Sequence, residues 1–157
     1  MSTSSEDTEK LGELLGSVLN PPAIIELRSD LGGGKTTFTR GLARGFGSKD
    51  KVSSPTFTLN KIYKNSKEQQ IHHFDFYRLH EPGILTDQLS ESLDDKKVIT
   101  VVEWADIVKN VIPDDRLAIE FNSTPNSEDE RQIIIHYQET AATAIKELET
   151  MWVEGKP

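Results

Sequence analysis

A chain of 157 residues has the length of one domain and can bury one core of useful size. Its formal charge of -8 excludes a broad basic face for nucleic-acid phosphates, and the lack of cysteine excludes disulfides, thiolate metal sites and thiol catalysis. No apolar run is long enough to cross a bilayer, and Met1 to Asp7 has neither the basic start nor the apolar centre of a secretion signal, so a cytoplasmic protein is expected.

Residues 1–7 are polar and are expected to be a disordered lead, with residues 8–157 forming a single domain. Leu11, Leu14, Leu15 and Val18 recur at helical spacing between Glu9 and Leu19, and Asn20-Pro21-Pro22 stops the pattern. Ala23 to Leu27 reads as a buried central strand. A helix follows, with Phe38, Leu42 and Phe46 on its inner face and Gly47 where a left-handed C-terminal residue belongs. Thr56 to Tyr63 and Gln70 to Tyr77 have strand composition, and the polar Lys64 to Glu68 between them predicts a turn, giving a hairpin or neighbouring strands. Pro82 to Leu93 predicts a helix opening at a proline.

Val98 to Val102 is strongly β-branched and predicts a second buried strand, running into Glu103 and Trp104. Leu117, Ile119 and Phe121 alternate with polar residues, and Ile133 to Ile135 lies beyond a Pro, Asn and Ser rich turn, which predicts an antiparallel pair at one edge. Ala141, Ile145, Leu148 and Trp152 share one helical face, which suits a C-terminal helix docked on the sheet. The pattern predicts an α/β chain with a P-loop NTPase-like three-layer fold, its central sheet mostly parallel with antiparallel edge strands.

Ser29-Asp30-Leu31-Gly32-Gly33-Gly34-Lys35-Thr36-Thr37 lies between a strand and a helix, the context that a phosphate-binding loop requires. Successive glycines let backbone amides close around phosphate oxygens, and the helix presents its positive end to the same anion. Asp30, Gly32, Gly33, Gly34, Lys35, Thr36 and Thr37 are the candidate nucleotide-binding residues. Lys35 would reach the outer phosphates, Thr36 would offer its hydroxyl to magnesium, and Thr37 would bond an inner phosphate. Ser29 stands where the strict motif has its first glycine. The plainer alternative is a glycine-rich turn followed by an ordinary surface lysine.

Hydrolysis also needs a metal held from the far side and a directed water. Asp75 near the end of one strand and Glu103 at the end of another are the candidates, because ligands of open α/β sheets gather at the carboxyl ends of the strands. With Lys35 they are the candidate catalytic residues, and with Thr36 the candidate metal ligands. Each acid has a plainer reading as a solvated strand-end carboxylate, Asp75 paired with Arg78. His72 and His73 are assigned no role, since strand histidines are more often packed or exposed than ligating.

Taken with the helix at Thr8, the segments Asp30 to Thr37, Ser54-Pro55-Thr56-Phe57, His73-Phe74-Asp75-Phe76-Tyr77-Arg78-Leu79 and Val102-Glu103-Trp104 stand in the order of a known family. The chain resembles the TsaE family, small P-loop ATPases of tRNA threonylcarbamoyladenosine biosynthesis. That resemblance implies ATP (or its product ADP) and Mg2+ as cofactors, with Asp75 in the Walker B role and Glu103 binding magnesium or orienting water. It places Ser54 and Thr56 in a switch-like loop near the terminal phosphate, with Trp104 beside them. The bland readings are a turn into a strand and core packing.

The resemblance further implies the partners TsaD and TsaB, which install threonylcarbamoyl on the adenosine next to the anticodon, while the TsaE protein hydrolyses ATP to reset or activate them. Weak turnover alone and stimulation by partners are expected, without strong direct nucleic-acid binding or membrane contact. The competing classes are a P-loop small-molecule kinase and a nucleotide-dependent binding module without turnover.

Overall fold

The computed structural model describes residues 1–30, 32–55, 58–77, 79 and 83–155. In chain order they form α1 (Ser5–Val18), β1 (Ala23–Arg28), α2 (Lys35–Gly45), β2 (Asn60–Lys64), β3 (Gln70–Asp75), α3 (Ile84–Asp94), β4 (Val98–Glu103), β5 (Leu117–Thr124), β6 (Ser127–His136) and α4 (Ala142–Glu154). The sheet order is β2-β3-β4-β1-β5-β6. β3, β4, β1 and β5 run parallel, while β2 and β6 pair antiparallel at the edges. This is the expected three-layer α/β fold with a mostly parallel sheet.

The residues of β4 explain its central place: all six are buried, and a Val, Ile and Thr run suits a strand covered on both faces. On one face Ile25, Leu27, Ile71, Ile99, Val101, Leu117 and Ile119 pack with Leu15 of α1, Phe38 and Leu42 of α2, and Ile145 and Leu148 of α4. On the other, Phe74 and Val102 meet Leu85 and Leu89 of α3, with Ala105, Val108 and Ile112 beyond β4.

α1 and α2 approach backbone to backbone. A Cβ added at Gly12 or Gly16 would lie 2.2 Å from the carbonyl oxygen of Phe38 or Leu42, and one added at Gly41 or Gly45 would lie 1.9 Å from that of Glu9 or Glu13. Glu9 also pairs with Arg40 at 3.6 Å and with Arg44. Gly47 has the expected left-handed conformation at φ 91, and the Gly47 and Ser48 amides donate to the Arg44 and Ala43 carbonyls at 3.0 and 2.9 Å.

Several boundaries differ from the sequence reading. α1 begins at Ser5 rather than Glu9, because the Ser4 hydroxyl accepts from the Asp7 amide at 3.1 Å and caps a polar first turn that apolar periodicity does not reveal. Ser2 bridges to Arg131 through amide–carbonyl bonds of 3.0 and 2.9 Å, so the segment expected to be a disordered lead is tied to β6. β2 begins at Asn60, since the Thr58 and Leu59 amides fold back on the Pro55 carbonyl and Leu59 has φ 67. β3 ends at Asp75, whose Oδ1 accepts from the Tyr77 amide at 2.9 Å and turns the chain. α3 begins after Gly83 at φ 50, and the proline expected to open it lies outside the described residues. α4 docks on the sheet as expected, through Ile145 and Leu148, and lies alongside α1 on that face. Among the described residues, no helix is long and apolar enough to cross a membrane.

Candidate active site

The ends of three adjacent parallel strands converge. Glu103 is register-paired with Asp75 of β3 on one side and Leu27 of β1 on the other, so the two acids close neighbouring strands on the same face. β1 then runs into the glycine loop, and α2 begins directly at Lys35. Gly32 and Gly34 have φ of 78 and 102, which L side chains rarely adopt, so this turn requires glycine at both. Among the described residues no side chain caps α2, and the first amides of such a helix end suit an anionic acceptor.

Lys35 is 7% exposed. Its Nζ donates to the Ser29 carbonyl at 3.1 Å, the Ser29 hydroxyl at 2.9 Å and the Asp30 carbonyl at 3.2 Å, and lies 5.0 Å from the centre of the Trp104 ring. Burial lowers its pKa, and the charges of Glu103, Asp75 and Asp30 oppose that shift. A cation held by neutral oxygens in a half-dry site, close to two carboxylates, suits an incoming polyanion.

Asp75 and Glu103 are 2% and 3% exposed. Glu103 Oε1 lies 2.9 Å from His73 Nε2, and His73 is completely buried beneath it. The pair is diagonal on one face: His73 faces Val101 in register, two residues before Glu103. Nε2 serves the carboxylate, while Nδ1 has no hydrogen-bond partner among the described residues. Trp104 adopts a left-handed conformation at φ 56, a strained geometry for a bulky residue, and packs at 4.9 Å on Tyr77.

Thr36 and Thr37 occupy the half-buried first turn of α2. A cavity of about 140 Å3 is lined by Thr8, Gly32, Gly34, Thr37 and Arg131, and a larger one of about 640 Å3 opens beside Ser29, Asp30, Gly32, Gly33 and Asn122. A third, of about 650 Å3, lies at the opposite strand ends near Ala23, Ile24 and Val98, away from the loop and the acids. Ser54 is exposed in the irregular stretch before Pro55, and Thr56 and Arg78 lie outside the described residues.

Among the described residues, no group of three His, Cys, Asp or Glu could hold a metal alone. Two buried carboxylates and a threonine hydroxyl instead match magnesium, which is commonly held by one or two carboxylates together with a nucleotide's phosphates. The His73–Glu103 contact was not foreseen. Its only signal was the two-residue alternation that places His73 and Asp75 on one face, and nothing in the sequence ties His73 to a residue thirty positions away.

The whole arrangement has relatives. The profile of the family described as threonylcarbamoyl adenosine biosynthesis protein TsaE matches residues 2–133. The tRNA threonylcarbamoyladenosine biosynthesis protein TsaE of Bacillus subtilis (strain 168) is 34% identical over 128 residues, spanning 82% of this chain and 78% of that protein. The protein of the same name from Rickettsia conorii is 33% identical over 140 residues, spanning 88% and 78%. The crystal structure of YdiB from Bacillus subtilis superposes with a TM-score of 0.73 at 30% identity, covering 94% of this chain and 90% of that one. With the family match spanning the loop and both acids, the chain belongs to the TsaE family of threonylcarbamoyl adenosine biosynthesis proteins.

Proposed function

We propose that this protein binds ATP with Mg2+ and hydrolyses it in the service of threonylcarbamoyladenosine modification of the tRNA adenosine next to the anticodon, acting on the TsaD and TsaB proteins in the cytoplasm. The observation that carries the reading is the buried Lys35 ammonium, held by loop oxygens and close to two buried carboxylates at neighbouring strand ends. Family membership supports the pathway.

Lys35 and the amides of Gly32, Gly33 and Gly34 would grip the outer phosphates, with Asp30 beside them. Thr36 and Asp75 would hold the metal, Thr37 would bond an inner phosphate, and Glu103 would complete the metal site or direct the attacking water. Mg2+, when bound, supplies charge neutralisation at the phosphates. His73 keeps the Glu103 carboxylate pointed at the site, and Trp104 shields Lys35 from solvent on one side. Ser54 and Thr56 belong to the loop assigned to the terminal phosphate. Turnover is weak alone and rises with partners, because a switch-like loop ordered by assembly completes the site late.

ATP hydrolysis by wild type and Glu103→Ala, each with and without TsaD and TsaB, tests this. Stimulation of wild type alone is expected. Unstimulated turnover that partners leave unchanged, or full activity in Glu103→Ala, would overturn it.

A further inference from the structure

We propose that Ser29 sets the nucleotide affinity of this loop: its hydroxyl tethers Lys35 in the nucleotide-free protein, and Gly33 is the residue that makes room for it. The proposal rests on the nucleotide-binding reading above and adds a residue to it. Ser29 occupies the position where the general phosphate-loop pattern has glycine, so its side chain is an addition that the loop has to accommodate.

The accommodation is visible at Gly33. A Cβ there would fall 2.3 Å from Ser29 Oγ and 2.6 Å from Ser29 Cβ, with the Asp30 carbonyl next at 3.1 Å. The two closest obstructions are therefore the Ser29 side chain itself. Gly33 differs from its neighbours in this respect. Gly32 and Gly34 have positive φ and are glycine for backbone reasons, whereas Gly33 is absent from the positive-φ residues and its backbone would accept an L side chain. Side chains at 29 and 33 exclude one another.

The hydroxyl is also engaged both as donor and as acceptor. It donates to the Asp30 carbonyl at 2.8 Å and accepts from Lys35 Nζ at 2.9 Å. With the Ser29 and Asp30 carbonyls, this makes three loop oxygens on one buried ammonium. Lys35 has to leave or share these oxygens to meet a phosphate. A bond to a charged group is among the stronger ones a hydroxyl makes, so deleting it frees the lysine while the backbone stays as it is. The gain belongs to the phosphate contact and is independent of the base.

The test is calorimetric titration of wild type, Ser29→Ala, Ser29→Gly, Gly33→Ala and Ser29→Gly/Gly33→Ala with MgATP and with inorganic tripolyphosphate, alongside thermal melts of each. Ser29→Ala is expected to bind both probes about 3–10-fold more tightly. Gly33→Ala should lose binding by about tenfold or more and melt lower, and the double variant should recover both, the non-additivity expected of side chains that compete for one space. Unchanged or weaker binding by Ser29→Ala, or a double variant no better than Gly33→Ala, overturns the proposal. If wild type binds neither probe, the function proposed above and the affinity role of Ser29 both fail, while the melts still decide the contact between positions 29 and 33.

Discussion

Replacing Gly41 by alanine should destabilise this protein although it raises helix propensity. In an ordinary helix interior the change gains about 1 kcal/mol, since glycine is the poorest helix former after proline. Here the new Cβ would lie 1.9 Å from the Glu9 carbonyl oxygen and 2.8 Å from its carbon, where ordinary contact begins at 3.4 Å. The shortfall of about 1.5 Å is met by backbone and not by a side chain that could rotate, so it is relieved only if α1 and α2 separate. Overpacking typically loses about 1–3 kcal/mol, and an obstruction by backbone belongs at or above the top of that range. The net loss is then about 2 kcal/mol or more, which lowers Tm by roughly 4–8 °C for a chain of this size. Circular-dichroism melts check it. Because α2 begins at Lys35, MgATP binding should weaken in parallel. A variant that melts at or above wild type would show that the two helices do not meet through their backbones, and the argument for how α2 is held would fail.

Other expectations follow from the site and its surroundings. His73→Leu removes the donor on the buried Glu103 carboxylate and should lose about 1–3 kcal/mol of stability, with ATP turnover falling more than nucleotide affinity. His73→Gln should restore part of the turnover, and equal losses of binding and turnover in both variants would argue against a positioning role. Lys35→Met removes a cation whose pKa burial depresses, so the nucleotide-free protein should melt higher, by about 2–4 °C for each kcal/mol relieved, while MgATP binding is lost. A lower Tm would contradict that. Glu26 is the fourth case. Burial alone would raise its carboxyl pKa, but Arg28 and Arg116 reverse the shift and hold it below the ordinary 4.5. A folded value below the unfolded one stabilises the protein above pH 4.5, and that contribution is lost as pH falls through the folded value. Tm should therefore fall less steeply on acidification in Glu26→Gln than in wild type, and parallel curves would refute it.

What the sequence made legible was local. The spacing from Gly32 to Thr37 after an apolar strand is read within one turn of chain, and the strand-end position of Glu103 follows from where the apolar run of β4 stops, whereas Asp75 was legible only as lying near the end of a strand read through to Tyr77. The β-branched run from Val98 announces a buried strand because its composition and burial have the same cause. The N-terminus was misread because α1 opens on Ser5, Glu6 and Asp7, where a cap rather than an apolar stripe starts the helix. The turn at Thr58 and Leu59 was missed because its signal, a left-handed leucine, is not one that residue type betrays. The His73–Glu103 contact and the Ser29–Gly33–Lys35 arrangement depend on register and close approach, which no single segment encodes.

Register is also what makes the site a product of the core. Side chains alternate faces along a strand, so a slip of β3 by one residue against β4 would turn Asp75 and His73 to the α3 side and carry Phe74 into the face that packs on α2. Two buried layers oppose that slip: Ile71, Ile99 and Val101 beneath α1 and α2, and Phe74 and Val102 beneath Leu85 and Leu89 of α3. The acids are therefore aligned by apolar packing that never touches them, and the diagonal bond between His73 and Glu103 is satisfied in one register only. The same packing bears the strain that the site imposes. A buried lysine held by neutral oxygens and a left-handed tryptophan each oppose folding locally, and they persist because the strand and helix that carry them are fixed from behind.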